Sequence, residues 1–233
     1  MTRGLKALAA VAVVVALVVF GFRALTGDDD DNEPAAAPSS ERTGRDVPPP
    51  PADAPGEGMY VLSSVTAVGT VEVQTWLRAP TPISELRMTT TDPDLLPGSV
   101  ESLDLRVHGL DGTLLAHRDS VGTNPQRIRL RASATDLYFS YTIDGAMDDA
   151  SQTVQSRTLA RVLGMDVDYD GAGGVVRRLV TSTGTVTNVA CLRPTDDFDE
   201  SPRPCGKPTG AGDWTVDLRG DDWHDRLLAQ LEG

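Results

Sequence analysis

The chain reads as an all-β protein: a single antiparallel β-sandwich, Ig-like in the loose architectural sense, carried behind an N-terminal transmembrane helix and a disordered linker. Three observations predict it. From Met59 onward about ten short runs, many alternating apolar and polar, are separated by Gly, Pro, Asp and Asn. No helix–strand alternation and no internal repeat interrupts them. Before them, one uncharged run, Ala7–Phe22, stands apart from everything that follows.

That run holds no charge and no proline, and Lys6 and Arg23 bracket it. It spans about 24 Å of helix, and snorkelling of the flanking cations extends it from Leu5 to Leu25, enough to cross a bilayer. The competing reading is a cleaved secretion signal, but Arg23-Ala24-Leu25-Thr26 is a poor cleavage site and no cysteine offers a lipid attachment point. Arg3 and Lys6 precede the run, whereas Asp28–Asp31 and Glu33 follow it; the short basic head favours the cytoplasm. Residues 1–26 are therefore read as head and anchor at the cell membrane, a single pass with the remainder extracytoplasmic.

Residues 27–58 read as linker. Acidic, Ala/Pro/Ser-rich and four-proline stretches follow one another with almost no large apolar side chain, so little could be buried to offset ordering. The run Pro48–Pro51 favours a stiff polyproline II spacer; the alternative, an SH3-type ligand, is not expected outside a cell.

Residues 59–233 form the predicted domain. Met59–Thr66 and Thr70–Leu77 come first, the latter with Val71, Val73, Thr75 and Leu77 on one face and Trp76 on the other. A Pro-Thr-Pro break precedes Ile83–Thr90. Ser102–His108 places Leu103, Leu105 and Val107 inward, and Asp111-Gly112 turns the chain into Thr113–His117. Gln126–Ala132 puts Ile128 and Leu130 inward and three arginines outward. Leu137–Ile143, the most aromatic run, suits a central strand ended by Asp144-Gly145. Arg157–Tyr169 is ambiguous, its first half open to helix and its second half alternating. Val175–Thr181 and Thr185–Leu192 read as a pair across Ser182-Thr183-Gly184, and Asp213–Arg219 as a further strand. The last run, over 223–232, fits a helix through Trp223, Leu227 and Leu231 or a strand through Leu227, Ala229 and Leu231; the surrounding sheet favours strand.

The chain carries a net charge of −13. Such acidity repels phosphate backbones and argues against a nucleic-acid partner; an unknown protein or cell-envelope component is the expected one. Cys191 and Cys205, both in the exported part, suit a disulfide closing a short loop, worth about 3 kcal/mol in the chain-entropy model. A two-thiol metal site lacks a neighbouring His or further Cys.

Candidate chemistry is sparse. Asp166, Asp168 and Asp170 with Gly171 match the first half of a calcium loop, which makes calcium the one cofactor the sequence suggests. The second half fails, because Arg177 stands where a bidentate glutamate belongs. Met165, Val167 and Tyr169 alternate with the aspartates, so a strand would simply turn all three carboxylates to water. Between the cysteines, Phe198 among Asp196, Asp197, Asp199 and Glu200 offers a contact point on a clamped loop; alternatively Phe198 folds back and the acids are solvated. Arg219-Gly220-Asp221 matches an integrin tripeptide and reads as a chance turn. His108, His117 and His224 lie on separate elements without zinc spacing; no G-x-S-x-G, no phosphate-cradling loop and no spare cysteine is present.

The Ala/Val-rich anchor, the acidic Pro-rich stalk and the run VTNVACLRP…RPCG…WTVDLR together resemble single-pass exported β-rich proteins of high-GC Gram-positive bacteria. The resemblance implies an address and no particular activity or site. The reading is a membrane-anchored binding or interaction module. The alternatives are a calcium-dependent adhesive or structural module and an exported hydrolase whose residues meet only in the fold.

Overall fold

The computed structural model describes residues 47–90, 100–148, 157–194, 202–210 and 212–232; the expected anchor and the first part of the linker lie outside them. Among the described residues there are fourteen strands and one short 3-10 turn at Gly220–Asp222, with no α-helix, and none long and apolar enough to cross a membrane. The all-β class is as predicted.

The chain opens with β1 (Gly58–Val65), β2 (Val71–Thr89), β3 (Glu101–Gly109), β4 (Leu114–Val121) and β5 (Gln126–Asp144). Then come β6 (Met147–Asp148), β7 (Arg157–Ala160), β8 (Asp166–Asp168), β9 (Val175–Ser182) and β10 (Thr185–Leu192). It closes with β11 (Arg203–Pro204), β12 (Lys207–Pro208), β13 (Trp214–Leu218) and β14 (Arg226–Glu232). The larger sheet runs β12-β13-β9-β1-β2-β5-β3-β4, with β8 also pairing β2; the smaller runs β11-β10-β14-β7-β6. Val61, Val73 and Phe139 from the first share one buried cluster with Val189, Leu227 and Ala229 from the second. The core therefore lies between two sheets, as strands with one apolar face require.

Several expectations are corrected. The sheets are not wholly antiparallel: β1 and β9 pair in parallel, from Gly58 opposite Val175 to Val65 opposite Ser182. An interior strand needs a partner on each edge; β2 supplies one as a hairpin neighbour, and the chain brings β9 back beside the start of β1 for the other. Gly58 and Gly174 permit that approach, since both have positive φ and a Cβ on either would meet a backbone oxygen across the gap at 2.1 or 2.4 Å. The predicted β9–β10 hairpin does not exist, because the turn after Ser182 carries the chain from one sheet to the other.

Pro80-Thr81-Pro82 does not end a strand either. β2 and β5 run side by side for 19 residues each, and their ladder lapses between Arg78 and Glu85, where the missing proline donors cost nothing. In β3 a bulge at Asp104, with φ of 52°, shifts the alternation: Ser102 and Leu105 are fully buried and Leu103 is not. Residues 157–165 hold the short strand β7 and irregular chain in place of a helix, and 226–232 form a strand with Leu227, Ala229 and Leu231 buried. The sulfurs of Cys191 and Cys205 stand at disulfide distance, 2.03 Å, at the β10–β11 end of the smaller sheet.

Candidate functional site

The inward parity of each central strand dictates what lies on its other face. Val73, Thr75 and Leu77 point into the core from β2, so Trp76 points out; Leu137 and Phe139 do the same for Tyr138 on β5. On β1, Met59 and Val61 leave Tyr60 outward, and on β3 the residue beyond Val107 is His108. Register then does what parity alone does not. Arg177 pairs with Tyr60, Tyr60 with Trp76, Trp76 with Tyr138 and Tyr138 with His108. Five strands thus present one straight row across the outer face, and Asp217 on β13, opposite Arg177, extends it to a sixth.

Neighbouring rings in the row stand 5.9, 5.4 and 6.5 Å apart, from Tyr60 through Trp76 and Tyr138 to His108, edge-on or tilted as aromatic quadrupoles prefer. Although they face away from the core, Tyr60, Trp76 and Tyr138 are 4, 7 and 8% exposed. Their cover is the chain just before β1. Val47 and Ala54 pack against this ring cluster alongside Leu62 of β1 and Leu179 of β9, Trp76 Nε1 donates to the Pro48 carbonyl at 2.9 Å, and Arg177 Nη1 donates to the Asp53 carbonyl at 2.6 Å. A turn in which Ala54 N–H donates to the Pro51 carbonyl shapes the segment between them. Residues 47–57, expected as disordered linker, are therefore a strap along the row. The physical reason is that their proline carbonyls and small apolar groups cover rings that would otherwise face water.

Electrostatics fasten one end. Arg177 donates to both oxygens of Asp217, at 2.7 and 3.0 Å, which holds the Asp217 carboxyl below its ordinary range and keeps the guanidinium charged. Burial, and then the neighbouring Asp53 charge, pushes the Tyr60 phenol up, so it stays neutral and stacks. Three grooves flank the strap. One of about 280 Å³ is polar, running past Val47 between Glu72, Gln74, His108, Tyr138 and Ser140. A second of about 210 Å³ lies between Pro50–Pro55 and Trp76, Leu110 and Leu137. A third of about 390 Å³ lies where Asp53 meets Tyr60, Arg177 and Asp217.

The sequence-predicted residues fall elsewhere. Asp166 and Asp168 are on β8, where Val167 between them is buried; Asp166 accepts from His224 Nδ1 at 2.7 Å and Asp168 lies 3.7 Å from Arg87. Asp170 is exposed just before the turn at Gly171. Among the described residues no group of three or more His, Cys, Asp or Glu is placed to hold a metal ion. Asp196, Asp197, Phe198, Asp199 and Glu200 lie outside the described residues. Gly220-Asp221 begins the 3-10 turn. His117 Nε2 meets Asp104 at 3.1 Å, and His108 Nδ1 meets the Gly112 carbonyl at 3.2 Å. Among the described residues, none of the three histidines hydrogen-bonds to a hydroxyl or thiol. Sequence reading alone does not bring Tyr60, Trp76, Tyr138 and Arg177 into one row; the signal available is an aromatic or basic residue at the outward parity of several strands, without the register that aligns them.

No family model matches the chain, and no curated protein matches it. Among solved structures it is similar to an aminopeptidase N family protein from Idiomarina loihiensis, at 14% identity and a TM-score of 0.43, over 74% of this chain and 29% of that one. It is also similar to an M1 zinc metallopeptidase from Deinococcus radiodurans, at 8% identity and a TM-score of 0.33, over 74% of this chain and 41% of that one. The chain thus spans less than half the length of either.

Proposed function

We propose that this chain is a membrane-anchored extracytoplasmic binding module, built as one β-sandwich-like domain, whose working surface is the strapped row Arg177–Tyr60–Trp76–Tyr138–His108. The anchor is Ala7–Phe22 and the stalk leads from it directly into the strap. One observation carries the reading: a contiguous aromatic row on the solvent side of a sheet, where alternation ordinarily places polar residues. Aromatic side chains give large contact area at low entropic cost, and an arginine and a histidine at the two ends add direction to it. The partner is a protein or cell-envelope component; an acidic chain does not suit nucleic acid.

The test is site-specific crosslinking in native cells, with a photoreactive side chain at Tyr138 or Leu110 and a control at Arg127, which is exposed near the start of β5. Adducts at the first two positions that are absent at Arg127 support the reading. Equal labelling at all three removes it. A reporter fused after Gly233 checks the address independently and should be active outside the cytoplasm.

A further inference from the structure

We infer that the aromatic row is a receptor for extended proline-rich segments of other polypeptides, and that Val47–Pro55 is its resident occupant, blocking it in cis. The inference rests on the binding-module reading and names the ligand class.

The chemistry of the occupant is visible in its contacts. Four consecutive prolines have φ fixed by their rings and offer no N–H, so they can contribute only carbonyl acceptors and flat apolar rings. The row offers the complement: aromatic faces, with side-chain donors that reach carbonyls at two points. Trp76 takes the first, at Pro48, and Arg177 the second, at Asp53, five residues on. An aromatic groove with a tryptophan donor is a general solution for binding polyproline II segments, because little order has to be imposed on the ligand.

The manner of attachment makes the occupant removable. Residues 47–55 join no strand ladder; pairing starts at Gly58. Among the described residues, lifting the strap breaks the Trp76 and Arg177 hydrogen bonds, the 3.8 Å Arg177–Asp53 ion pair and the ring contacts, while every sheet pairing remains. Gly56 lies between Pro55 and β1, and a Cβ built on it would meet no atom within 4 Å, so this link is not packed on that side. The grooves beside Leu110 and past Val47 are space that the strap borders without filling, which a longer foreign segment would use. A row occupied in cis lowers apparent affinity in trans by the fraction of time it is open.

The experiment uses the full chain and a synthetic peptide, DVPPPPADAP, copied from residues 46–55, with its Pro→Gly counterpart as control. The strap-loosened variant Val47→Ser/Pro49→Gly/Pro50→Gly leaves all row residues in place. It should bind the peptide at least about tenfold more tightly than the unaltered chain, as expected for a strap seated nine-tenths of the time. The Gly peptide should not bind, and adding Trp76→Ala to the loosened variant should abolish binding. A single cooperative thermal unfolding transition certifies that the loosened variant is folded. A folded loosened variant that ignores the peptide overturns the inference; if crosslinks at Tyr138 persist in cells, the binding-module reading survives it. A concentration-dependent dimer of the unaltered chain that disappears on loosening overturns the cis occupancy, because the row would then be taking the strap of a second copy.

Discussion

Both faces of the larger sheet bury aromatic side chains, but the two are closed in different ways. The inner face is sealed by a second sheet: Leu77, Phe139 and Ile143 are inaccessible, and the elements above them are hydrogen-bonded throughout. Over the described residues the outer face is closed by proline-rich chain held through Trp76 and Arg177, with Leu62 and Leu179 beside it. A core that has to persist is covered by structure that cannot leave without unfolding the protein. On the proposed reading, the surface that meets a partner is covered by something that can.

Substitutions should separate the faces by size of effect. Phe139→Ala, in the inner face, should cost about 3–5 kcal/mol in chemical denaturation or abolish folding; a loss under about 1 kcal/mol would mean the two sheets are not closed on each other. Replacing Cys191 and Cys205 by Ala together should lower stability by about 3 kcal/mol, the entropy of a loop this short, and leave the near-ultraviolet signal of the row unchanged. Trp76→Phe keeps a ring and removes only the donor to Pro48. Its cost should be about 1 kcal/mol, with cleavage within residues 47–57 accelerated in limited proteolysis and none within the sheets.

Opposite ends of the pH scale should address opposite faces. Asp217 is held below its ordinary value of 3.8 by Arg177, so its contribution is present above that value and is lost as pH falls through the lower folded value. Acid below about pH 4 should therefore unseat the Asp53 end of the strap first, read as loss of Trp76 near-ultraviolet dichroism before global unfolding, and Asp217→Asn should remove that step. Tyr141, on the inner face, has its phenol pushed up to about 12 by burial. The unfolded chain ionises from pH 10 and the folded one does not, so stability should fall between pH 10 and 12, and Tyr141→Phe should flatten that limb. The smallest effect belongs to the aspartates on β8: melting curves in calcium and in chelator should superimpose, and a rise of several degrees would restore the calcium reading.

Much of this was legible in the sequence, and the limit is physical. Parity along a strand is local, so Val71, Val73 and Leu77 could be assigned inward and Trp76 outward from spacing alone. Pairing partners are not local, so the parallel β1–β9 ladder, the separation of β9 from β10 and the alignment of five outward side chains were not. The bulge at Asp104 broke even the parity rule, placing Ser102 inside where Leu103 was expected. The strap was misjudged for a related reason. Composition correctly indicates that Pro48–Pro51 cannot build a core of its own, but whether such a run lies free depends on what another part of the chain offers it.

Ser64 on β1 and Thr181 on β9 share a hydrogen bond between their hydroxyls although 117 positions separate them. A polypeptide emerging from its N-terminal end would deliver β1 long before the strand that satisfies its second edge. During that interval the newly delivered edge is open to any passing strand. If the chain is exported as proposed, slow release of this domain would prolong the hazard, and its maturation should respond to translocation speed.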